Sequence, residues 1–492
     1  MRTRICFWLL VLVPLAVYAP AILQDYAMRD DYSYLRSARE EPGKIVRQVA
    51  AQGRPLYGAL LETSYEHTGK VSNLIWLRLT SVLLLVCLAL AVWQQLDAAG
   101  WPQLDAAALG LGLILLPCAQ VTAAWAVGWP WALSLLLSVA GYIAIELELE
   151  KGGLKRFVGC LGGCFIYILS ALIYPSNALF AVVLIAATLL TKERRKREDL
   201  LRWSGLHLGL LLGSLAAYYG LLRLLFQLGL FAESARIQME VNPFTKLVWF
   251  IWQPLSNALA LLPLRDDFQT GFVYFWLAVC AVVAFLAWVV RGDKVSSDPK
   301  AKLSWLICVA VLPWIAHLVS LFASERSTGY RTLAALSGLV LTLVIVGLRR
   351  LPVNEQVEPW AHYGGLVVLL LVAAMLARQN TMSLIAEPQA REWSLVHESL
   401  QQVRLRDVNR FWMVAASVED RSTQRVHGDE FGTVSSDSDW APRDMFAAAL
   451  HERFPFGLPP EFRISFGQSR KDPQPGTYDT LIDLRKLKRW RD

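Results

Sequence analysis

Charge is scarce in this chain, and the scarcity narrows its class before any motif is considered. Only 18% of its 492 residues are charged, where soluble domains carry about 25%. Cysteine is confined to apolar stretches: Cys6, Cys87, Cys118, Cys160, Cys164, Cys280 and Cys308 all fall within them. The long polar segments therefore hold no thiols that an oxidising compartment could pair. No CxxC or Cys/His spacing suggests zinc. Cys160 and Cys164 stand one helical turn apart, but glycines surround them and no His accompanies them, which makes them small packing residues. The chain also lacks a Gly-rich phosphate loop, so no nucleotide site is expected. No cofactor follows from the composition, and two adjacent acids without further carboxylates make a poor cage for a divalent metal.

What the chain has in abundance is apolar length. Hydrophobic residues make up 55% of it, and runs near bilayer length fall at 5–23, 72–96, 104–118, 129–147, 157–174, 177–191, 204–226, 271–290, 303–323, 331–348 and 361–377. Nineteen tryptophans suit rings placed at lipid–water boundaries. The net charge of +7 does not indicate nucleic acid, because most basic residues lie in short connections between apolar runs. Arg2 and Arg4 precede the first run, which is nearer span length than signal length and reads as an uncleaved anchor. The segment 246–264 is apolar but carries Gln253, Pro254, Ser256, Asn257 and Pro263. If it does not span, the basic clusters at Lys151/Lys155/Arg156, 192–197, Arg291–Lys302 and Arg349-Arg350 all fall on the cytoplasmic side, as the positive-inside rule requires. It is therefore expected to be an interfacial amphipathic or re-entrant helix. The reading is an α-helical polytopic protein of the inner (cytoplasmic) membrane with about eleven transmembrane helices. Its N-terminus is expected in the cytoplasm and its C-terminus in the periplasm.

Two outer segments exceed mere connections: the first outer loop, 24–71, and the region 381–492, which follows a membrane domain at 1–380. The latter mixes helical periodicity at 387–404 and 442–454 with short strand-like runs at 411–416, 462–466 and 478–484, so a small extracytoplasmic α/β domain is expected. Its stretches around Asp429-Glu430-Phe431-Gly432 and 435–440 read as polar loop, or as a surface touching an acceptor. The second half does not repeat the first, which speaks against a transporter of inverted repeats.

Chemistry concentrates after the first span. Asp30 and Asp31 follow it within about two helical turns, where a carboxylate can take a proton from an attacking hydroxyl. Helix neighbours point about 100° apart, so one acid would face a site while the other orients it or meets solvent. The plain alternative is a pair of solvated loop acids. Further ionisable groups gather at the same level: Arg54 in the first loop, Arg78, Arg223, Lys246, and the turn holding Glu325, Arg326, Tyr330 and Arg331. Arginines at headgroup depth can grip a phosphate or simply snorkel. His317 suits a hydrogen-bonded packing role.

A base near the membrane surface, cations for phosphate and an outward site suit glycosyl transfer from a lipid-phosphate sugar, whose leaving group carries its own activation. The motifs Arg29-Asp30-Asp31-Tyr32, Gly53-Arg54-Pro55-Leu56, Tyr174-Pro175-Ser176-Asn177, Lys246-Leu247-Val248-Trp249-Phe250, Gln253-Pro254-Leu255-Ser256-Asn257 and Tyr330-Arg331-Thr332-Leu333 occur in that order. With the first outer loop and the many spans, they resemble the GT-C superfamily of membrane glycosyltransferases, within it the Gtr-type O-antigen glucosyltransferase and pilin arabinosyltransferase relatives. The resemblance covers residues 1–380. It implies that Asp30 or Asp31 is the catalytic acid residue, that the donor is a polyprenyl-phosphate sugar, and that the acceptor is a glycan or a pilin-like protein. Where those relatives often carry Tyr-Gln after the fifth span, this chain has Tyr174-Pro175. A flippase or transporter of lipid-linked sugars, or a scaffold recruiting partners through its C-terminal region, are the alternative readings.

Overall fold

The computed structural model describes residues 2–149, 152–191, 198–265, 306–327, 329–349, 358–402, 408–415 and 430–485, and the protein is 76% helical. Among the described residues six helices are long and apolar enough to cross a membrane: Thr3–Leu23, Val71–Ala98, Ala126–Leu149, Gly153–Ile173, Arg202–Gln227 and Glu358–Gln401. A seventh is counted if Gln103–Leu113 and Pro117–Ala124, bent by 56°, form one span. The architecture is that of a multi-pass membrane protein, with fewer spans than the about eleven that hydropathy suggests.

The difference has a physical origin. The run at 104–118 breaks where Pro117, at the first turn of its helix, cannot donate back into the preceding one. Pro175–Leu190 and Ala334–Arg349 are apolar but short. They lie inside the bundle, where Leu184, Ile185, Leu336 and Leu339 are buried. A helix walled by other helices is apolar on all sides without needing bilayer length, so hydropathy counts it as a span. The run at 303–323 is divided into Ile307–Val311, Leu312–Ala316 and Leu318–Phe322 by Pro313 and a turn at His317. The expected span at 271–290 and the basic segments 192–197 and 291–302 lie outside the described residues. The expected interfacial segment is helical through Pro243–Phe250, a wider turn at Ile251–Leu255 containing Pro254, and Ser256–Ala260, and does not rank among the candidate spans.

Outward faces carry the apolar surface that lipid would cover. Leu154, Phe157, Val158, Leu161 and Phe165 recur at helical spacing and are exposed, as are Val367, Val368, Leu371 and Met375. Contiguous apolar surface of this kind is unusual on soluble monomers.

Labelled in chain order, the first helices are α1 (Arg2–Leu23), α2 (Asp30–Glu40), α3 (Lys44–Ala50), α4 (Pro55–Thr68) and α5 (Leu74–Ala98). The two ends of the bundle differ chemically. At one, His362 Nε2 lies 2.9 Å from Asp105 Oδ1, Arg349 Nε lies 4.0 Å from its Oδ2, and Thr3 donates to Gln103 at 3.3 Å. At the other, α2, α3 and α4 fold the first loop into a helical cap. Glu62 of α4 accepts the backbone N–H groups of Gly43 and Val46, tying α3 to α4.

The C-terminal region pairs three parallel strands, β1 (Val408–Val414), β2 (Arg463–Ser469) and β3 (Thr480–Asp483), in the order β2-β1-β3. The helix Ala441–Arg453 lies in the crossover from β1 to β2. The small α/β unit is anchored rather than tethered. Tyr32 of α2 meets Trp393 with ring centroids 5.8 Å apart, Arg36 pairs with Asp444 at 2.7 Å, and Glu452 accepts the Val71 N–H at 2.7 Å.

Candidate active site around Asp30

The site begins with a kink. Arg29, just before α2, has φ 45°, a left-handed backbone that costs an arginine energy and persists only where neighbours enforce it. Ser435 of the C-terminal region supplies one restraint by accepting the Arg29 N–H at 2.9 Å. Asp30 and Asp31 are the first two residues of α2 and diverge by about 100°, as helix neighbours do.

Asp31 turns inward. It is fully buried, its Oδ2 accepts the Met28 N–H at 2.8 Å and its Oδ1 accepts the Tyr65 hydroxyl. Burial pushes its carboxyl up to about 7, against the pull of the Tyr65 and Met28 hydrogen bonds. Asp30 turns outward and is partly exposed. No described residue donates a hydrogen bond to it. Four guanidiniums act on it instead. Burial raises its carboxyl above the usual aspartate range, while Arg331, Arg29, Arg236 and Arg54 draw it back down. The structure thus separates the pair into an anchored acid and an open one.

Two of those cations are held on aromatic faces. Arg54 lies 5.5 Å from the ring centroids of both Tyr57 and Tyr174. Arg331 lies 5.6 Å from Trp125 and 6.0 Å from Trp131. The rings form one cluster, with Trp131 5.8 Å from Trp125, 5.7 Å from Tyr174 and 6.1 Å from Tyr57. Stacking on rings fixes the plane of each guanidinium and so the directions in which its N–H groups donate. Backbone placement reinforces this. Gly53, at φ +82°, delivers Arg54 and accepts the Tyr218 hydroxyl at 2.7 Å; its left-handed φ is one that a side chain would strain. Arg54 also donates to Gln52.

The turn carrying Tyr330 and Arg331 is held by a residue the sequence reading assigned to a polar loop. Glu430 is completely buried and accepts the Tyr330 N–H at 2.6 Å and the Arg331 N–H at 3.2 Å. Phe431 beside it packs on the Tyr330 ring at 5.8 Å. The expectation of a solvated loop is therefore corrected for residues 430–436, which are all buried; Asp429 lies outside the described residues. Glu392 accepts the N–H groups of Ser435 and Ser436 at 2.8 and 3.0 Å, so the segment is fixed to the helix Glu387–Gln402.

The remaining candidates are placed elsewhere. Arg78 is fully buried and donates to the carbonyls of Tyr26 at 2.8 Å and Gln24 at 2.7 Å, with its guanidinium 4.0 Å from the Tyr26 ring. It ties the loop entrance to α5. Arg223 forms an exposed pair with Glu233 at 2.8 Å. Lys246 donates to the Glu325 carbonyl at 2.7 Å and lies 4.2 Å from the Trp249 ring; burial pushes its ammonium down to about 8. The Glu325 carboxylate lies 3.6 Å from Arg236. Arg326 reaches Glu240 at 3.3 Å and the Thr245 hydroxyl at 2.9 Å. The Tyr330 hydroxyl accepts the Arg265 N–H at 2.9 Å. Asp30, Arg54 and Arg331 are thus brought together; Arg78 and Arg223 are not. Sequence reasoning missed Arg29 and Arg236 as neighbours of Asp30. Arg29 stood in the quoted motif and Glu430 in a stretch read as polar loop or acceptor surface, whereas Arg236 had no local signal.

Among the described residues no group of three or more His, Cys, Asp or Glu is placed to hold a metal ion. Comparison with family models, curated proteins and solved structures gave no match. Fold and site together define a helical multi-pass membrane protein with a carboxylate set among stacked arginines at one end of its bundle.

Proposed function

We propose that the chain is a membrane glycosyltransferase that moves a sugar from a polyprenyl-phosphate donor to a hydroxyl acceptor, on the outer face of the inner membrane. One observation carries the reading: Asp30 is the unanchored member of the acid pair, and it sits among cations held on aromatic faces. Asp30 is the general base and Asp31 its support. The acceptor O–H gives its proton to the Asp30 carboxylate as the oxygen bonds to the anomeric carbon. The bond from that carbon to the phosphate oxygen breaks, and its electron pair leaves with the lipid phosphate. Arg54 and Arg331 stabilise the charge that grows there. Attack opposite the departing phosphate inverts the anomeric centre. A carboxylate raised above its usual range is a stronger base than a free aspartate, which suits proton removal.

The outer-face assignment rests on the positive-inside rule applied to the sequence, and it is supported by Arg349, which lies by Asp105 at the end of the bundle away from Asp30. The test is incorporation of sugar into surface glycan or pilin by cells carrying Asp30→Asn or Asp31→Asn at matched protein levels. Asp30→Asn should lower transfer by about 10²–10⁴-fold, the range general bases contribute. Full transfer by Asp30→Asn would overturn the assignment.

A further inference from the structure

Away from the acid pair, a cleft of about 750 Å³ opens between α2, the helix Ala441–Arg453 and β2. Its volume lies within the range of about 300–1,000 Å³ typical of small-molecule sites. The lining is mixed. Arg36, Asp439, Trp440, Arg443, Asp444 and Gln468 border it. Its apolar wall includes Phe466, stacked on Phe446 at 4.5 Å.

Most charges of the lining are held in pairs. Arg36 is paired with Asp444 at 2.7 Å and Asp439 with Arg470 at 2.9 Å, which leaves Arg443 as a guanidinium facing the cleft. What remains is an exposed Trp440 ring, 44% accessible, surrounded by planar carboxylate, guanidinium and amide groups. That combination suits a pyranose. The apolar C–H face of a sugar ring covers an indole, while its vicinal hydroxyls donate to planar carboxylates and accept from guanidinium and amide groups.

The cleft also communicates with Asp30. Along α2, Asp30, Ser33 and Arg36 are partly exposed, whereas residues 31, 32, 34, 35, 37 and 38 are buried. The three-residue spacing makes one open stripe that runs about 9 Å along the helix axis from the acid to the cleft wall. A chain of sugars seated in the cleft can extend along this stripe toward Asp30.

We infer that this cleft is the acceptor subsite and that it takes a short oligosaccharide, an inference that rests on the transferase reading. The acceptor is then a glycan rather than a protein hydroxyl. The full chain in lipid nanodiscs, titrated with maltotriose, cellotriose and chitotriose at millimolar concentration, tests it by saturation-transfer NMR. At least one trisaccharide should bind, with affinity weakened tenfold or more in Trp440→Ala and in Arg443→Ala and unchanged in Arg223→Ala. Both altered side chains are exposed, so loss of folding does not confuse the result. Absence of saturation transfer to all three sugars, or equal binding by both cleft variants, overturns the inference. The transferase reading is judged separately by Asp30→Asn. No binding together with Asp30-dependent transfer removes the cleft assignment alone. Cleft binding together with Asp30-independent transfer removes the transferase mechanism and leaves a saccharide site.

Discussion

The Glu430 carboxylate holds Arg331 twice, accepting its backbone N–H at 3.2 Å and lying 3.8 Å from its guanidinium. A residue of the C-terminal region thereby fixes a cation that acts on Asp30. Gly329 completes the fit, because a Cβ there would stand 2.7 Å from Glu430 Oε1. Glu430→Ala should leave the Tyr330 and Arg331 N–H groups unsatisfied, each at a cost of about 1–3 kcal/mol. Glu430→Gln keeps one acceptor oxygen. Sugar transfer should therefore fall about tenfold or more in the alanine variant and recover in part in the glutamine variant. Equal transfer by both variants and the parent protein would show that Arg331 does not depend on this contact.

Arg54 and Arg331 offer a second test. Each guanidinium is stacked on rings, and lysine cannot reproduce either the stacking or the planar fork. Arg54→Lys and Arg331→Lys should lower kcat for transfer by about 10–100-fold, with a smaller change in donor KM. That split is the mark of a group acting on charge that develops only in the transition state. A rise in KM with kcat intact would assign them to ground-state binding instead.

How far the sequence led depends on what each signal measures. The acid pair, the Gly53-Arg54 turn and Tyr330-Arg331 were legible because each is a compact motif beside a span end. Which acid faces outward was not, since that is settled by the Arg29 kink and by Tyr65, 34 positions away. Arg78 and Arg223 look alike as isolated cations. Only the structure separates them, with the first on the carbonyls of Gln24 and Tyr26 and the second on the exposed Glu233. The role of Glu430 could not be found from sequence, because its partners lie about a hundred positions earlier. Among the described residues hydropathy suggests more spans than there are helices of span length, for a related reason: it reports the absence of water and cannot tell lipid from protein around Ala334–Arg349.

The contrast between two arginines gives a stability prediction. Arg78→Ala leaves two carbonyls at the loop entrance without their donors and opens space beneath the Tyr26 ring, for a loss on the order of 3 kcal/mol. Arg223→Ala removes one side of an exposed pair, an interaction worth about 0.2–1 kcal/mol. Thermal unfolding in detergent should show a clearly lowered midpoint for the first and almost none for the second. A lowered midpoint of equal size in both would contradict the tying role given to Arg78.

Asp31 makes stability depend on pH, and the sign follows from burial. Its carboxyl is raised to about 7 in the folded protein, above about 3.9 in an unfolded chain. Between those values the folded protein retains a proton that the unfolded chain has released. The stability contributed by this group is therefore complete below about pH 4 and is lost as pH rises through about 7. Each pH unit in that window removes up to about 1.4 kcal/mol. Asp31→Asn does not titrate, and its single carbonyl oxygen serves only one of the two donors at Tyr65 and Met28. The variant should be less stable than the parent at pH 5, with the difference narrowing toward pH 8. Unfolding midpoints measured across pH 5–8 decide it. Parallel profiles for the two proteins would mean that Asp31 is already ionised throughout, its two hydrogen bonds outweighing its burial.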